Sequence, residues 1–278
     1  HVGPFEVPPQ KEKEFLYYVP PLMTEDMFIE RVQISMRPGS HHLIMYTFNN
    51  LPNLLIPLDS TIRDMHDGFG NYIIQNIIAT QYHKFVTGTQ WSSLDYHFPP
   101  GVALHVPPDF GFDLNSHYIN YTDEPIIGEV FTNIHTIPLS DIEHVAEILM
   151  LNNDDFSLPP NQITTWERTY MYNEVLDESG LDHNADIIYI FQLFSHAHEH
   201  MIRFDIELVN NEGNSELIYT AMDWEHPPIL DINPPLTLSP DEGLKMVVTY
   251  NNYTNEELKF GLLSVNEMMI IFGYVYTD

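Results

Sequence analysis

Apolar positions along this chain fall in short runs rich in Val, Ile, Tyr, Phe and Thr, separated by turn residues. Its 21 prolines and 13 glycines punctuate these runs and cut them to strand length. The pattern predicts strands over Phe28–Ser35, His42–Phe48, Ile126–Ile134, Ile163–Tyr172, Ile187–Ser195, Met201–Val209, Leu244–Tyr250 and Met268–Tyr276. Short helical turns are expected near Asp141–Leu149 and Leu94–Tyr96. There is no alternation of strand and helix, so a parallel α/β sheet is not expected. Many strands at short spacing point to an all-β fold of sandwiches.

A short internal echo suggests two similar halves. Ser116-His117-Tyr118-Ile119-Asn120-Tyr121-Thr122 resembles Val248-Thr249-Tyr250-Asn251-Asn252-Tyr253-Thr254. Each follows a Pro/Gly-type turn, Pro99-Pro100-Gly101 in one half and Ser239-Pro240-Asp241-Glu242-Gly243 in the other. The echo predicts two β-sandwich domains of shared topology, with a boundary near Thr136-Ile137-Pro138. The expected domains are residues 1–138 and 139–278.

Composition fits a packed globular chain. Of 278 residues, 44% are hydrophobic and 13% aromatic, far from the composition of disorder. No apolar run reaches membrane-spanning length, so no membrane span is expected. Acidic residues outnumber basic ones 40 to 10, for a net charge of −30. With no basic stripe to neutralise phosphates, nucleic acid and anionic membranes are excluded as partners. Most of this acidity is a solvated surface, and it repels small anions while attracting metal cations. The chain has no cysteine, hence no disulfide and no thiolate ligand. Any tight transition-metal site must be built from His, Met and carboxylates. Asn120 and Asn252 each head an N-x-S/T sequon, which matters only in a eukaryotic secretory protein.

Among 15 histidines, three places stand out. The strongest is Phe194-Ser195-His196-Ala197-His198-Glu199-His200-Met201. On a strand, residues i and i+2 share a face, so His196 and His198 can aim at one ion. His200 continues that face as a third ligand, a base behind the ligands or a rim residue. The second place is Gly39-Ser40-His41-His42. Adjacent strand residues face opposite ways, so this pair can share a metal only at a strand entrance or bulge, which Pro38-Gly39-Ser40 can supply. The third is His117, which can complete a three-imidazole site. His66, His83, His97, His105, His144, His183 and His226 stand singly and are read as packed or surface residues. A metallo-hydrolase reading fails, because an Asp-His pair is missing after His-x-His. A cupin reading lacks its glutamate at the required spacing.

In these segments the chain resembles the copper type II, ascorbate-dependent monooxygenases, the family of peptidylglycine α-hydroxylating monooxygenase and dopamine β-monooxygenase. Pro4-Phe5-Glu6-Val7-Pro8 and Met36-Arg37-Pro38-Gly39-Ser40-His41-His42 resemble the opening of bacterial members. Ser195-His196-Ala197-His198 with Arg203-Phe204 resembles their second metal strand. Asn266-Glu267-Met268-Met269 resembles the family's Asp-Glu-Met-Cys segment. The resemblance implies two jelly-roll domains, each with a copper site, facing a solvent-filled cleft. His41, His42 and His117 would hold one copper, and His196, His198 and Met268 the other. Imidazole suits both copper oxidation states and a thioether favours Cu(I). In the family, O2 reacts at the methionine-bound copper, a substrate C–H loses hydrogen, and the all-histidine copper passes the second electron. With Met268 in the ligand set, His200 becomes a residue behind the ligands.

Departures from the family shape the expectation. The arginine that grips a peptide carboxylate is Phe194 here, and two further polar anchors are Ile270 and Phe272. A peptide C-terminus is therefore not the expected substrate, and an apolar or neutral small organic molecule is. Ascorbate is an anion that this chain repels at low salt, so a redox protein or fused redox domain is the expected electron donor beside it. A copper brace at His1 finds no support in the rest of the chain. The expected activity is hydroxylation of a C–H bond in an extracellular or periplasmic setting. The alternative is a copper-binding or electron-relay module that does not hydroxylate.

Overall fold

In the computed structural model, residues 1–49, 52, 55, 60–69, 71–261 and 266–278 are described. The chain is all-β, with 58% strand and 8% helix, and its sheets are stacked rather than closed into a barrel. It divides into two compact units, His1–Val145 and Ala146–Asp278. Among the described residues no helix is long and apolar enough to cross a membrane.

The first unit is built on two antiparallel sheets. In one, β1 (Val2–Val7), β10 (Ile126–Thr136), β3 (Met27–Met36) and β8 (Val102–Val106) run side by side, and β7 (Ser93–His97) also pairs with β3. The other has the order β5 (Ile62–Asp64), β2 (Lys11–Val19), β9 (Phe112–Asn120), β4 (Ser40–Phe48) and β6 (His83–Thr89). Burial along β3 and β4 alternates, which puts Ile29, Val32, Ile34, Leu43 and Met45 into the core. Strand β9 is central and buried almost throughout. Its Leu114, Ser116 and Tyr118 alternate with Asp113, Asn115 and His117, so one face meets the core and the other is covered separately. Arg63 and Met65 help to cover it: Arg63 pairs with Asp113, and the sulfur of Met65 lies 3.1 Å from Asn115 Nδ2. Helix α1 (Ile74–Ile77) is tied to β5, its Asn76 amide donating to the Asp64 carbonyl at 2.8 Å.

The second unit follows the same plan. One sheet has the order β11 (His144–Asn152), β20 (Ile270–Thr277), β14 (Ile188–His196) and β17 (Leu230–Leu238). The other has β13 (Gln162–Met171), β18 (Glu242–Asn252), β15 (Met201–Asn210) and β16 (Ser215–Ala221). The short β12 (Ser157–Leu158) and β19 (Leu258–Lys259) form a ribbon beside them. Leu149, Ile190, Leu193, Phe204, Met246, Val248 and Ile271 are buried together. Helix α2 (Tyr172–Ser179) starts where Glu174 accepts the Met171 N–H and stops at Gly180, φ +66.

The internal echo is realised atom for atom. Asn120 Nδ2 donates to the carbonyls of Val7, Pro8 and Glu124 at 3.1, 3.0 and 2.8 Å, and its Oδ1 accepts from both Thr122 N and Oγ1. Asn252 does the same with Leu158, Pro159, Glu256 and Thr254. The sheet orders β2-β9-β4 and β13-β18-β15 correspond, and each slips register at one place, Ser40/His42 and Met201/Arg203. Both asparagines are buried with their amides spent on backbone carbonyls, so neither sequon presents a glycosylation acceptor. The turns that precede the echo do not correspond. Pro99–Gly101 leads into β8 of the opposite sheet, whereas Ser239–Gly243 leads into β18 itself.

Two local expectations are corrected. Leu94–Tyr96 lies in β7, and Asp141–Leu149 holds only the end of a 3-10 turn before β11 begins at His144. Backbone pairing of Ile34 with Leu94 and of Leu149 with Gly273 claims these residues for the sheets. Tertiary pairing outweighs weak local helix preference.

Candidate metal centre

His41, His42 and His117 converge. Each offers a ring nitrogen, and these atoms lie within 4.8 Å of one another. Ring centroids are 5.0–5.2 Å apart, with interplanar angles of 62–72°. The adjacent pair works because of the backbone. His42 sits opposite His117, and the register slip between Ser40 and His42 lets two neighbours turn toward one side. Gly39, φ +92, makes the entry turn, and a Cβ there would stand 2.4 Å from Ile126 Cδ1.

The nitrogens that face away from the centre are held. His42 Nε2 lies 2.6 Å from Asn115 Oδ1, and His117 Nε2 lies 3.0 Å from Glu12 Oε2. His41 Nδ1 and His42 Nδ1 are 3.1 Å apart. Ligating imidazoles characteristically pass their other N–H to an oxygen acceptor, and the Nε2 contacts of His42 and His117 are of that kind. The residues present therefore fit a metal bound through three imidazoles. The hydrogen bond from His117 holds the Glu12 carboxyl below the usual carboxylate range. Asn115 further contacts Glu14 at 3.2 Å, so a polar network backs the histidines. Glu12 and Asn115 were not singled out from sequence. Their signal was present: Asn115-x-His117 is same-face spacing, and Glu12 lies on the strand paired with β9.

The second cluster is arranged differently from the strand expected. β14 ends at His196, and residues 197–200 leave the ladder in a turn. His196 and His198 still meet, rings 5.3 Å apart and nearly perpendicular. His198 Nδ1 lies 3.0 Å from the Asn266 carbonyl, an oxygen contact of the kind that orients a ligating imidazole. Met268 is buried two residues before β20, whose first residue, Ile270, pairs with His196. Glu267 Oε2 accepts from the backbone N–H of both His198 and Met268, at 3.0 and 3.3 Å. Two imidazoles and a thioether-bearing segment thus share one locality in the second unit. His200 does not continue a strand face. Its ring Nδ1 is 3.2 Å from Glu267 Oε1, and it stacks on Tyr253 at 4.7 Å. Burial pushes the Glu267 carboxyl up to about 7, against three N–H donors that pull it down, and lowers the His200 imidazole.

Among the described residues the three-imidazole arrangement is not repeated. At the positions that correspond to His42 and His117 the second unit has Arg203 and Thr249, the latter 3.0 Å from Thr165 Oγ1. On the face of β14 that carries His196, Phe194 stacks on Phe272 at 5.5 Å. Six of the isolated histidines (His66, His83, His97, His105, His183 and His226) lie within 4.0 Å of a carboxylate oxygen. In so acidic a chain, such pairing is the ordinary fate of a lone histidine.

No protein-family model matches the chain, and no curated protein matches it. One similar solved structure is the tail fiber protein gp63.1 from an E. coli phage. It shares 10% identity over 98% of this chain and 41% of that one, at a TM-score of 0.19. A likeness at that level carries no argument about fold or function.

Proposed function

We propose that this chain is a copper-dependent monooxygenase of two jelly-roll domains that uses O2 and an external electron donor to hydroxylate a C–H bond. The observation that carries the reading is the convergence of His41, His42 and His117 from two strands onto one point, with outward nitrogens on Asn115 and Glu12. His196, His198 and Met268 make the second site of this reading, for two ions per chain. Copper held by these residues supplies one-electron redox chemistry toward O2.

The chain's own residues do the rest. Asn115 fixes the His42 ring, and Glu12 the His117 ring, in one tautomer and one direction. The Asn266 carbonyl does so for His198. Phe194 and Phe272 present an apolar aromatic wall beside His196, which favours an apolar small molecule over a peptide carboxylate. The net charge of −30 slows approach of ascorbate and favours electrons from a redox protein or domain. The setting that goes with this reading is extracellular or periplasmic.

The test is O2 uptake by the copper-loaded chain with a reductant. His196→Ala and Met268→Leu are expected to abolish uptake while leaving the far-ultraviolet circular dichroism unchanged. Full copper occupancy without O2 uptake under any donor would replace the enzyme by an electron-relay module.

A further inference from the structure

We propose that Glu267 is the positioning residue of the second site: its buried carboxylate locks the His198–His200 turn to Met268 and sets the distance between the two kinds of ligand. The proposal rests on the copper reading above and deepens it.

The sheet itself fixes only part of this site. His196 and Ile270 are the last ladder pair between β14 and β20. Beyond them both chains leave the sheet, and His198 and Met268 are both outside it. Their backbone N–H groups therefore lack strand partners and must be satisfied otherwise. One side chain satisfies them. Glu267 Oε2 accepts from His198 N–H at 3.0 Å and Met268 N–H at 3.3 Å. Its Oε1 accepts from His200 N–H at 2.8 Å and faces His200 Nδ1 at 3.2 Å. The backbone of Glu267 is itself tied down, by Glu267 N–H to the Lys259 carbonyl and Gly261 N–H to the Glu267 carbonyl, both at 3.1 Å. The carbonyls of His198, His200 and Met268 are engaged as well, by Met201 N–H, Asn251 N–H and Tyr250 OH. The spacing of the turn from the methionine segment remains to be set, and the carboxylate spans it at three backbone N–H groups, beside the single ring contact of His198 Nδ1 with the Asn266 carbonyl.

An ordinary turn cap is the competing account, and the donor count weighs against it. Three backbone N–H groups and the His200 Nδ1 surround two oxygens, a demand that a carboxylate meets and an amide does not, because a Gln side chain offers one oxygen and points two hydrogens at the rest. A completely buried carboxylate is also a costly way to cap a turn. It gains a second use when a cation is held by the groups it positions.

The test compares the full chain with Glu267→Gln, taking Met268→Leu as the reference for a lost thioether. Cu(I) affinity at each site is measured by competition with a chelator, and sulfur ligation by X-ray absorption. Without metal, hydrogen exchange of the His198, His200 and Met268 amides reports the carboxylate contacts directly. The expected result is faster exchange at these amides, loss of the copper–sulfur signal and a fall of about 10–100-fold in affinity at the second site, the range found for residues that orient metal ligands. The His41, His42 and His117 site keeps its affinity. If Glu267→Gln fails to fold, Glu267→Asp keeps the charge on a shorter stem and is expected to move the same readouts. A retained copper–sulfur signal with unchanged affinity in Glu267→Gln overturns the positioning role and leaves the copper reading standing. Equal loss at both sites also overturns it, because the residue then serves the fold at large. Absence of the copper–sulfur signal from the wild-type chain overturns the proposal and the two-copper reading together.

Discussion

Asn115→Leu isolates the support of the first metal site from the site itself. Leu has the same four-atom branched side-chain skeleton as Asn, so the change removes the hydrogen bonds and opens no cavity, putting bulkier methyl groups in the amide's place. Asn115 is only 5% exposed, and water cannot readily take its place. The substitution deletes the 2.6 Å acceptor of His42 Nε2 and the donors to Glu14 Oε1 at 3.2 Å and Met65 Sδ at 3.1 Å. A buried polar group left without its partner costs about 1–3 kcal/mol, so stability should fall by that order. His42 loses what selects its tautomer and orientation, and metal affinity should fall about 10–100-fold, or roughly 1.4–2.7 kcal/mol. The assay is a copper titration against a competing chelator, with Cu(II) electron paramagnetic resonance counting the nitrogen ligands. Asn115→Asp keeps an oxygen where His42 needs it and should restore most of the affinity. The reasoning is refuted if Asn115→Leu binds copper as tightly as the unaltered chain with three nitrogen ligands intact.

Other expectations follow from the same geometry. Asn252→Ala removes five hydrogen bonds from a fully buried position and should lower stability by roughly 3–5 kcal/mol at about 1 kcal/mol each, with Asn120→Ala behaving alike, as urea unfolding would show. Gly39→Ala, at φ +92 and against Ile126, should cost upwards of about 1–2 kcal/mol and weaken the first metal site while sparing the second, as site-resolved metal titration would read. Reduction by ascorbate should speed up as salt rises, because the Debye length shrinks from about 30 Å at 0.01 M to about 8 Å at 0.15 M and screens the −30 charge. A stopped-flow rate insensitive to ionic strength contradicts the expectation of a protein electron donor.

Much of the fold was legible because its strands carry both burial and turn signals. All eight predicted strands are present with their ends moved by a few residues, from Met27–Met36 to Ile270–Thr277. The helix Tyr172–Ser179 was missed although Glu174 and Gly180 mark its two ends, because Ile163–Tyr172 reads as a strand up to its first residue. His41 and His42 were legible as a pair needing a bulge, and Gly39 with the Ser40/His42 slip supplies it. The His196–His200 segment was misread as one strand face. Period-two spacing looks the same in a strand and in a turn that leaves it, and nothing local in Ala197-His198-Glu199 says where the ladder stops. Glu12 and Glu267 went unassigned for a related reason. They are held by contacts 105 and 69 residues away in sequence, and pairing across such distances is not written in local pattern.

Copper content of the purified, metal-loaded chain tests the central claim most directly. The account predicts two copper ions per chain, one lost in His41→Ala and the other in Met268→Leu, each without effect on its counterpart. Zinc in preference to copper at the three-histidine site, or a single ion unaffected by Met268→Leu, contradicts it.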